Sequence, residues 1–249
     1  MSCKSKRKPG DLAPELLQYA RRQISKANPL LLQAVYRLED QVRSQPGPLS
    51  TDGVHLCYQP EQVERDFRKD PDSLARQLLH VLLHCLCGHL AQRRAYRDPR
   101  LFDIAADGKV WCLMQQLIPQ EQLGTGKDLL RLSGKLSDLS TRLPVSRMVE
   151  TWRQDLHSLR RAVRSASCFR VDDHSLWSST ALGQPLPGEG GEGRGQTVLL
   201  TETGRSWQQL REDLLNAMKG GMDQNRWGNA PGLLRMELEP QEGEALDYR

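Results

Sequence analysis

Apolar residues recur at helical spacing through the first half of the chain. Residues 11–22 and 28–43 each carry them three and four positions apart, which predicts two helices, and Pro46-Gly47-Pro48 ends the second. Residues 51–58 follow a different pattern, because an Asp-Gly turn signal precedes apolar residues at alternating positions. This pattern predicts one short strand.

The next apolar segment, residues 74–90, predicts a helix that is buried on every side. Its leucines surround the helix axis almost completely, and Asp72 or Ser73 can cap its N-terminus. His80 and His84 lie one helical turn apart in this segment, so both imidazoles can reach one metal ion. Several helices and one strand together predict a mainly α (α+β) fold with a buried metal-site helix.

The spacing of the two histidines is that of the H-E-x-x-H zinc helix. In that motif the residue after the first histidine is a glutamate that acts as general base. Here this residue is Val81, so an aliphatic side chain occupies the general-base position. The sequence therefore predicts the zinc ligands of a hydrolase without its usual base, and we assign no catalytic residue.

A third ligand can come from the next predicted helix, residues 98–111. Asp103 and Asp107 lie four positions apart there and share a face, and the apolar neighbours of Asp107 place it near the core. A buried carboxylate needs a partner, and Asp107 would complete a His-His-carboxylate site with one open position. A helix cap or an ion pair would satisfy Asp107 equally well.

Four other residues are candidates for supporting or alternative ligands, and Asp103, which shares a helix face with Asp107, is one of them. His89 would lie on the opposite side of a continuous helix from His80, so it can join the site only if the helix bends or ends near Gly88. Asp173 and His174 can orient a ligand imidazole through its free nitrogen. A simple Asx-type turn is the alternative interpretation of this pair.

The amino-acid composition limits the classes of binding partner and the cellular compartment that we expect for this protein. The 249 residues carry a net charge of only +4 and are 5% aromatic. The chain therefore lacks the dense basic patch with interleaved aromatic residues that is typical of nucleic-acid binding, and we do not expect this function. No run approaches about 18 consecutive apolar residues, and the N-terminal region lacks the apolar core of a signal peptide. The six cysteines form no C-x-x-C pair and are interpreted as reduced thiols. We expect a soluble, cytoplasmic protein with no nucleic-acid and no membrane partner.

Four short motifs occur together and in order along the chain. They are T-D-G-x-x-L-x-Y-x-P at residues 51–60, H-x-x-x-H-x-x-x-G-H at 80–89, I-A-A-D at 104–107 and D-D-H-S-x-W at 172–177. In this combination the chain resembles the metallopeptidase-like domain of bacterial proteins that usually also carry a C-terminal von Willebrand factor A-like domain. The resemblance extends over roughly residues 11–227.

The resemblance implies a zincin-like fold that binds Zn²⁺, with residues 54–58 as an edge strand beside the metal-site helix. We expect a metallopeptidase-like domain over residues 1–183, a Gly/Pro-rich linker or loop over residues 184–196 and a helical extension of the same domain over residues 197–249. We also expect this chain to be a shortened member of the family without the A-type domain. Its expected partner is a peptide, a protein or an A-type domain on another chain.

Residue 81 decides which function follows from the resemblance. The family pattern has glutamate there, so Val81 predicts a zinc-binding pseudo-enzyme with weak or no hydrolytic activity. General-base catalysis contributes about 10² to 10⁴ in rate, so its loss slows hydrolysis strongly without removing the metal. The alternatives are an active zinc-dependent peptidase that uses another base, such as Asp103, and a metal-free protein-interaction module.

Overall fold

The structure is a computed structural model that describes residues 8–117, 143–178, 183–185, 198–219 and 230–238. Helices dominate the described residues, and the strands are few and short. The helices are α1 (Ala13–Ala27), α2 (Leu32–Val35), α3 (Pro60–Lys69), α4 (Ser73–Leu86), α5 (His89–Gln92), α6 (Pro99–Leu117), α7 (Val145–Gln154), α8 (Leu156–Phe169), α9 (Glu202–Lys219) and α10 (Ala230–Leu238). The strands are β1 (Glu39–Val42), β2 (Ser50–Thr51), β3 (His55–Tyr58), β4 (Gly183–Pro185) and β5 (Val198–Leu200), and 3₁₀ turns lie at Pro29–Leu31, Arg93–Ala95 and His174–Ser178. The predicted mainly α (α+β) class is confirmed.

A small sheet forms around the predicted strand. β3 falls within that segment and pairs in parallel with β1 on one side and antiparallel with β2 on the other, so it is the central strand. The expectation of an edge strand over residues 54–58 is wrong, because both edges of β3 are paired. Ser50 of β2 also forms a bridge to Asp173. The sheet therefore holds the polar segment around Asp173 in a fixed place.

The predicted helix over residues 28–43 is wrong in its second half. Helical structure ends at Val35, and residues 39–42 form β1, whose four side chains are all exposed. Such a segment has no apolar face to bury as a helix, whereas its backbone can pair with β3. Asp40 also forms an ion pair with the buried Arg21 of α1, with N to O distances of 2.9 and 2.5 Å. Pairing with distant residues therefore outweighs the local helical pattern.

Helix α4 lies at the centre of the core, as its apolar pattern predicts. Every residue from 78 to 86 is buried. Helices α1, α6 and α9 all pack against it, and their apolar faces cover it on several sides. A polar side chain on α4 must therefore find its partner inside the protein.

Residues 145–169 form two helices, α7 and α8, with a break between them. α7 ends at Gln154, and Asp155 begins α8 by accepting hydrogen bonds from the backbone N–H groups of His157 and Ser158, at 3.0 and 3.2 Å. An Asp at this position satisfies N–H groups that have no partner within the helix. The two shorter helices both pack on α6.

The C-terminal helices pack on the same core. α9 packs against α4, and Trp207 Nε1 donates a hydrogen bond to the carbonyl of Gly53 at 2.7 Å. α10 packs against α6 and α9. Residues 186–196 of the predicted linker lie outside the described residues, and the domain boundaries stay a prediction. None of the described helices has the length and apolar character needed to cross a membrane.

Candidate metal centre

Two histidines of α4 meet inside the core. His80 and His84 point in the same direction because they lie one turn apart, and their Nε2 atoms are 2.9 Å from each other. Neither ring is exposed to solvent. The structure thus brings together the pair from which the sequence predicts a metal site, and their role as ligands stays a prediction.

Helix α6 adds a carboxylate to this pair. Oδ1 of Asp107 lies 3.2 Å from Nε2 of His80 and 3.3 Å from Nε2 of His84. Asp107 is 3% exposed, because α6 packs directly against α4. The buried carboxylate therefore faces the two imidazoles, and its role as the third ligand stays a prediction.

The segment after α8 contributes two more donor atoms. Nε2 of His174 lies 3.1 Å from Oδ1 of Asp107 and 2.9 Å from Oδ1 of Asp172. Oδ1 of Asp172 lies 3.4 Å from Nε2 of His80. Three separate parts of the sequence therefore meet at one point. We call this group the His/Asp cluster; it consists of His80, His84, Asp107, Asp172 and His174.

The geometry of the His/Asp cluster fits a metal ion. One donor atom from each residue lies within 4.8 Å of all the others. Oδ2 of Asp172 has no hydrogen bond, although Oδ1 of the same carboxylate lies 2.9 Å from Nε2 of His174. Buried polar atoms without partners are costly. Metal–ligand bonds of about 2.0 to 2.2 Å place neighbouring ligand atoms about 3 to 3.5 Å apart, which is close to the spacing here.

Protonation differs among the members of the His/Asp cluster. Burial lowers the pKa of His84 to about 3, so this ring is neutral and offers a lone pair. Burial raises the pKa of Asp107 and of Asp172, but the hydrogen bonds and charges of the surrounding histidines outweigh burial and hold both pKa values below the usual range.

His174 shows the opposite behaviour. Burial lowers its pKa, but the charge of Asp172 and hydrogen bonds with the neighbouring carboxylates outweigh burial and raise this pKa well above the usual value. A proton on His174 therefore balances part of the negative charge of the two aspartates. A divalent cation would balance both charges and displace that proton.

An indole ring shields the His/Asp cluster. Trp177 stacks on His174 with ring centroids 3.6 Å apart, and it meets His84 edge-on at 4.6 Å. Trp177 itself is 1% exposed, and no member of the cluster exceeds 3%. The cluster is a closed site in this conformation.

Asp103 supports the cluster from outside. Arg93 donates to its carboxylate from Nε and Nη2, at 2.7 and 3.0 Å. Oδ1 of Asp103 is 3.8 Å from Nδ1 of His174, the ring nitrogen that faces away from the other donors. Asp103 therefore lies beside His174, as a supporting residue would, and does not join the converging atoms.

The two adjacent aspartates of the D-D-H-S-x-W motif have different surroundings. Asp173 accepts a hydrogen bond from Nη1 of Arg43 at 3.0 Å, and its backbone N–H donates to the carbonyl of Leu49 at 3.1 Å. Asp172, which the sequence analysis did not select, enters the His/Asp cluster instead. The local sequence carries no signal for this difference, because the bridge from Asp173 to Ser50 of β2 fixes which aspartate faces the cluster.

His89 returns towards the site because the long helix ends. α4 stops at Leu86, and Gly88 adopts a left-handed conformation with φ of +72°, which turns the chain. Nδ1 of His89 then lies 2.9 Å from Nδ1 of His84. The helix end near Gly88, which is the condition stated for His89 to take part, is present. His89 contacts a member of the cluster without placing an atom among the donors.

Two charged residues that the sequence analysis missed lie behind His89. Oε1 of Glu237 is 3.5 Å from Nε2 of His89, and Oε2 is 3.5 Å from Nζ of Lys109. Lys109 is fully buried and also donates to the carbonyl of Leu143 at 3.1 Å. Burial raises the pKa of Glu237, but His89 and Lys109 outweigh it and lower this pKa. Burial lowers the pKa of His89, so a neutral ring faces a carboxylate.

Comparison with known proteins identifies the family. The family described as "Putative metallopeptidase domain" matches residues 13–179, which is more than half of the chain and includes the whole His/Asp cluster. Neither curated proteins nor solved structures give a significant match. The buried histidines and aspartates thus lie within the matched region, and the chain belongs to this metallopeptidase-domain family.

Proposed function

We propose that this protein binds a single Zn²⁺ through the His/Asp cluster and has little or no peptidase activity. The observation that carries the proposal is the convergence of three imidazole nitrogens and two carboxylate oxygens inside the core. With neutral imidazoles and ionised aspartates the cluster has a charge of about −2, which a divalent cation neutralises. Histidine nitrogens and carboxylate oxygens are common zinc ligands.

Two features support weak or absent hydrolysis. A catalytic zinc ion, when bound, activates water and polarises the substrate, which requires an open coordination position. Here five residues surround the metal position and Trp177 covers it, so little room is left for a peptide. In addition, Val81 is fully buried within the apolar core and offers no proton acceptor at the usual general-base position.

Metal analysis tests the first part of the proposal. The full protein is purified without chelator, and its zinc, iron and manganese contents are measured by mass spectrometry. We expect one zinc per chain, and we expect His84→Ala to lose the zinc while its far-ultraviolet circular dichroism stays helical. A protein that contains no metal and takes up no Zn²⁺ on titration would overturn the proposal in favour of a metal-free interaction module.

Peptidase assays test the second part. Zinc-loaded protein is incubated with unstructured fluorogenic peptides, with and without EDTA, beside His84→Ala as the control. We expect no EDTA-sensitive cleavage above the level of the variant. Cleavage that EDTA abolishes and the variant lacks would instead identify an active zinc peptidase.

Asp172 supports an active peptidase as a second candidate function. Its Oδ2 has no hydrogen bond, and its Oδ1 lies 3.4 Å from Nε2 of His80, so a carboxylate stands beside the metal position. In this candidate function Asp172 would take a proton from the attacking water. In the H-E-x-x-H zinc helix the glutamate after the first histidine has this role. Asp172→Asn would then abolish cleavage while zinc stays bound. Under the main proposal the same substitution lowers zinc affinity, and there is no cleavage to lose.

A further inference from the structure

A row of buried polar side chains runs from the His/Asp cluster to the C-terminal helix. Nδ1 of His84 lies 2.9 Å from Nδ1 of His89, Nε2 of His89 lies 3.5 Å from Glu237, and Glu237 lies 3.5 Å from Nζ of Lys109. None of these residues exceeds 9% exposure. We call them the support network.

The contact between the two histidines admits two arrangements of protons when both rings are neutral. One Nδ1 must donate and the other must accept. If His84 binds a metal through Nε2, its proton is on Nδ1 and is donated to His89. His89 then carries its own proton on Nε2, facing Glu237. In the opposite arrangement His89 donates, and Nε2 of His84 carries a hydrogen and cannot bind a metal.

Glu237 favours the first arrangement. An ionised carboxylate only accepts hydrogen bonds, so it stabilises the proton on Nε2 of His89 and disfavours a bare nitrogen there. The ammonium group of Lys109 balances the charge of this carboxylate inside the core. The proton positions along the support network are therefore linked from Glu237 to the nitrogen of His84 that faces the metal position.

We propose that Glu237, acting through His89, is a positioning residue that holds His84 in the tautomer able to bind metal. This inference rests on the proposed function, because it concerns the same zinc centre. It extends that function beyond the region that matches the family, since α10 lies after residues 13–179. The C-terminal helix thus completes the centre.

Zinc affinity of the full protein tests the inference. It is measured by competition with a chromophoric chelator for the wild type, Glu237→Gln and Glu64→Gln. Glutamine keeps the size of the side chain, but its amide group can donate as well as accept and no longer selects one tautomer of His89. We expect Glu237→Gln to lower zinc affinity about 10- to 100-fold, the usual effect of losing the partner of a ligand imidazole.

Glu64→Gln is the matched control. Glu64 is also a buried carboxylate, and it accepts hydrogen bonds from the backbone N–H groups of Gly10 and Leu12 at 2.9 and 3.1 Å. It lies on α3 and is not part of the support network. We expect this variant to keep the zinc affinity of the wild type even if its melting temperature falls.

A second variant separates positioning from general stability. In His89→Asn the side-chain oxygen can accept the hydrogen bond from Nδ1 of His84 without help from Glu237. In that background we expect Glu237→Gln to change zinc affinity by less than about twofold, because the coupling between the two sites is removed. An equally large loss in both backgrounds would show that Glu237 acts through stability alone and would overturn the inference.

Nuclear magnetic resonance gives a direct view of the protons. With ¹⁵N-labelled histidine, long-range proton–nitrogen correlations show which nitrogen of each of the six imidazoles carries hydrogen. In the zinc-loaded wild type we expect His84 to be protonated on Nδ1 and His89 on Nε2. A wild type that binds no zinc would refute the proposed function itself. A wild type that binds zinc with the affinity of Glu237→Gln, or with His89 protonated on Nδ1, would overturn only this inference.

Discussion

The indole of Trp177 lies almost flat on the imidazole of His174, with ring centroids 3.6 Å apart and ring planes 20° from parallel. Both residues belong to the same 3₁₀ turn, and Trp177 also contacts His84 on α4. One short segment therefore supplies a candidate ligand together with the ring that shields it. We expect a metal ion held by the His/Asp cluster to exchange with solvent only when this ring moves.

We predict that Trp177→Phe speeds the release of zinc. The smaller ring leaves part of His174 uncovered, and the apolar shell around a metal site controls solvent access. The expected result is a rise of about 10-fold in the dissociation rate, measured by mixing zinc-loaded protein with excess EDTA. Trp152→Phe is the control, since Trp152 is equally buried but lies on α7. Equal rates in the two variants would contradict a shielding role for Trp177.

The adjacent aspartates provide a second prediction. Asp172→Asn is expected to lower zinc affinity by about 10-fold or more, because it removes a negative charge and a ligand from the centre. Asp173→Asn is expected to leave zinc affinity unchanged and to cost no more than about 1 kcal/mol of stability, since its ion pair with Arg43 is partly exposed. Chelator competition and thermal unfolding measure the two effects. A larger loss of zinc affinity in Asp173→Asn than in Asp172→Asn would contradict the assignment of Asp172 to the His/Asp cluster.

The difference between these neighbours also shows what the sequence could and could not reveal. The positions of His80 and His84 follow from local helical spacing, and the small number of apolar neighbours around Asp107 was enough to place it towards the core. Whether Asp172 or Asp173 faces the core depends on the bridge from Asp173 to β2, which is a contact between distant residues. The local sequence pattern does not indicate that contact.

Two further features that could not be predicted from the sequence have the same cause. Residues 28–43 as a whole have helical spacing, yet residues 39–42 form β1 because β3 is available to pair with them. Glu237 lies 148 residues from His89 along the chain, and nothing near it in the sequence indicates a polar partner in the core. Tertiary contacts decide both outcomes, so they required the folded chain.

The raised pKa of His174 gives a prediction about pH. In the metal-free protein, the stability contributed by protonated His174 is fully present below the unfolded-state pKa of about 6.5 and is lost as pH rises through its higher folded-state pKa. Zinc must displace this proton, so zinc binding strengthens as pH rises. We expect the increase in melting temperature on adding zinc to be larger at pH 8 than at pH 6.

Differential scanning fluorimetry with EDTA or with excess zinc measures this pH dependence. His174→Gln serves as the control, because glutamine does not titrate in this range. We expect the variant to bind zinc more weakly and its metal-free melting temperature to depend less on pH between 6 and 8. A zinc-induced increase that is larger at pH 6 than at pH 8 in the wild type would rule out displacement of a proton from His174.

Substitution of Val81 tests whether this residue limits hydrolysis. In the H-E-x-x-H helix the glutamate at this position takes a proton from the attacking water and passes it on, which an isopropyl group cannot do. Val81→Glu is therefore expected to give zinc-dependent cleavage of an unstructured peptide. Val81→Gln, which has similar size and polarity but no basic carboxylate, is expected to give none. Initial rates with and without EDTA measure the difference.

Zinc content must be equal in these variants before their rates are compared. Val81 is fully buried, so a polar side chain there lowers stability, and a carboxylate lowers it more than an amide. Thermal unfolding of both zinc-loaded variants measures this cost, and the temperature of the assay is set below both transitions. If Val81→Glu and the native protein then cleave at the same rate, residue 81 does not limit the chemistry. The closure of the site by five donors and Trp177 would be the remaining physical reason for slow hydrolysis, and opening it with Trp177→Phe would be expected to raise the rate.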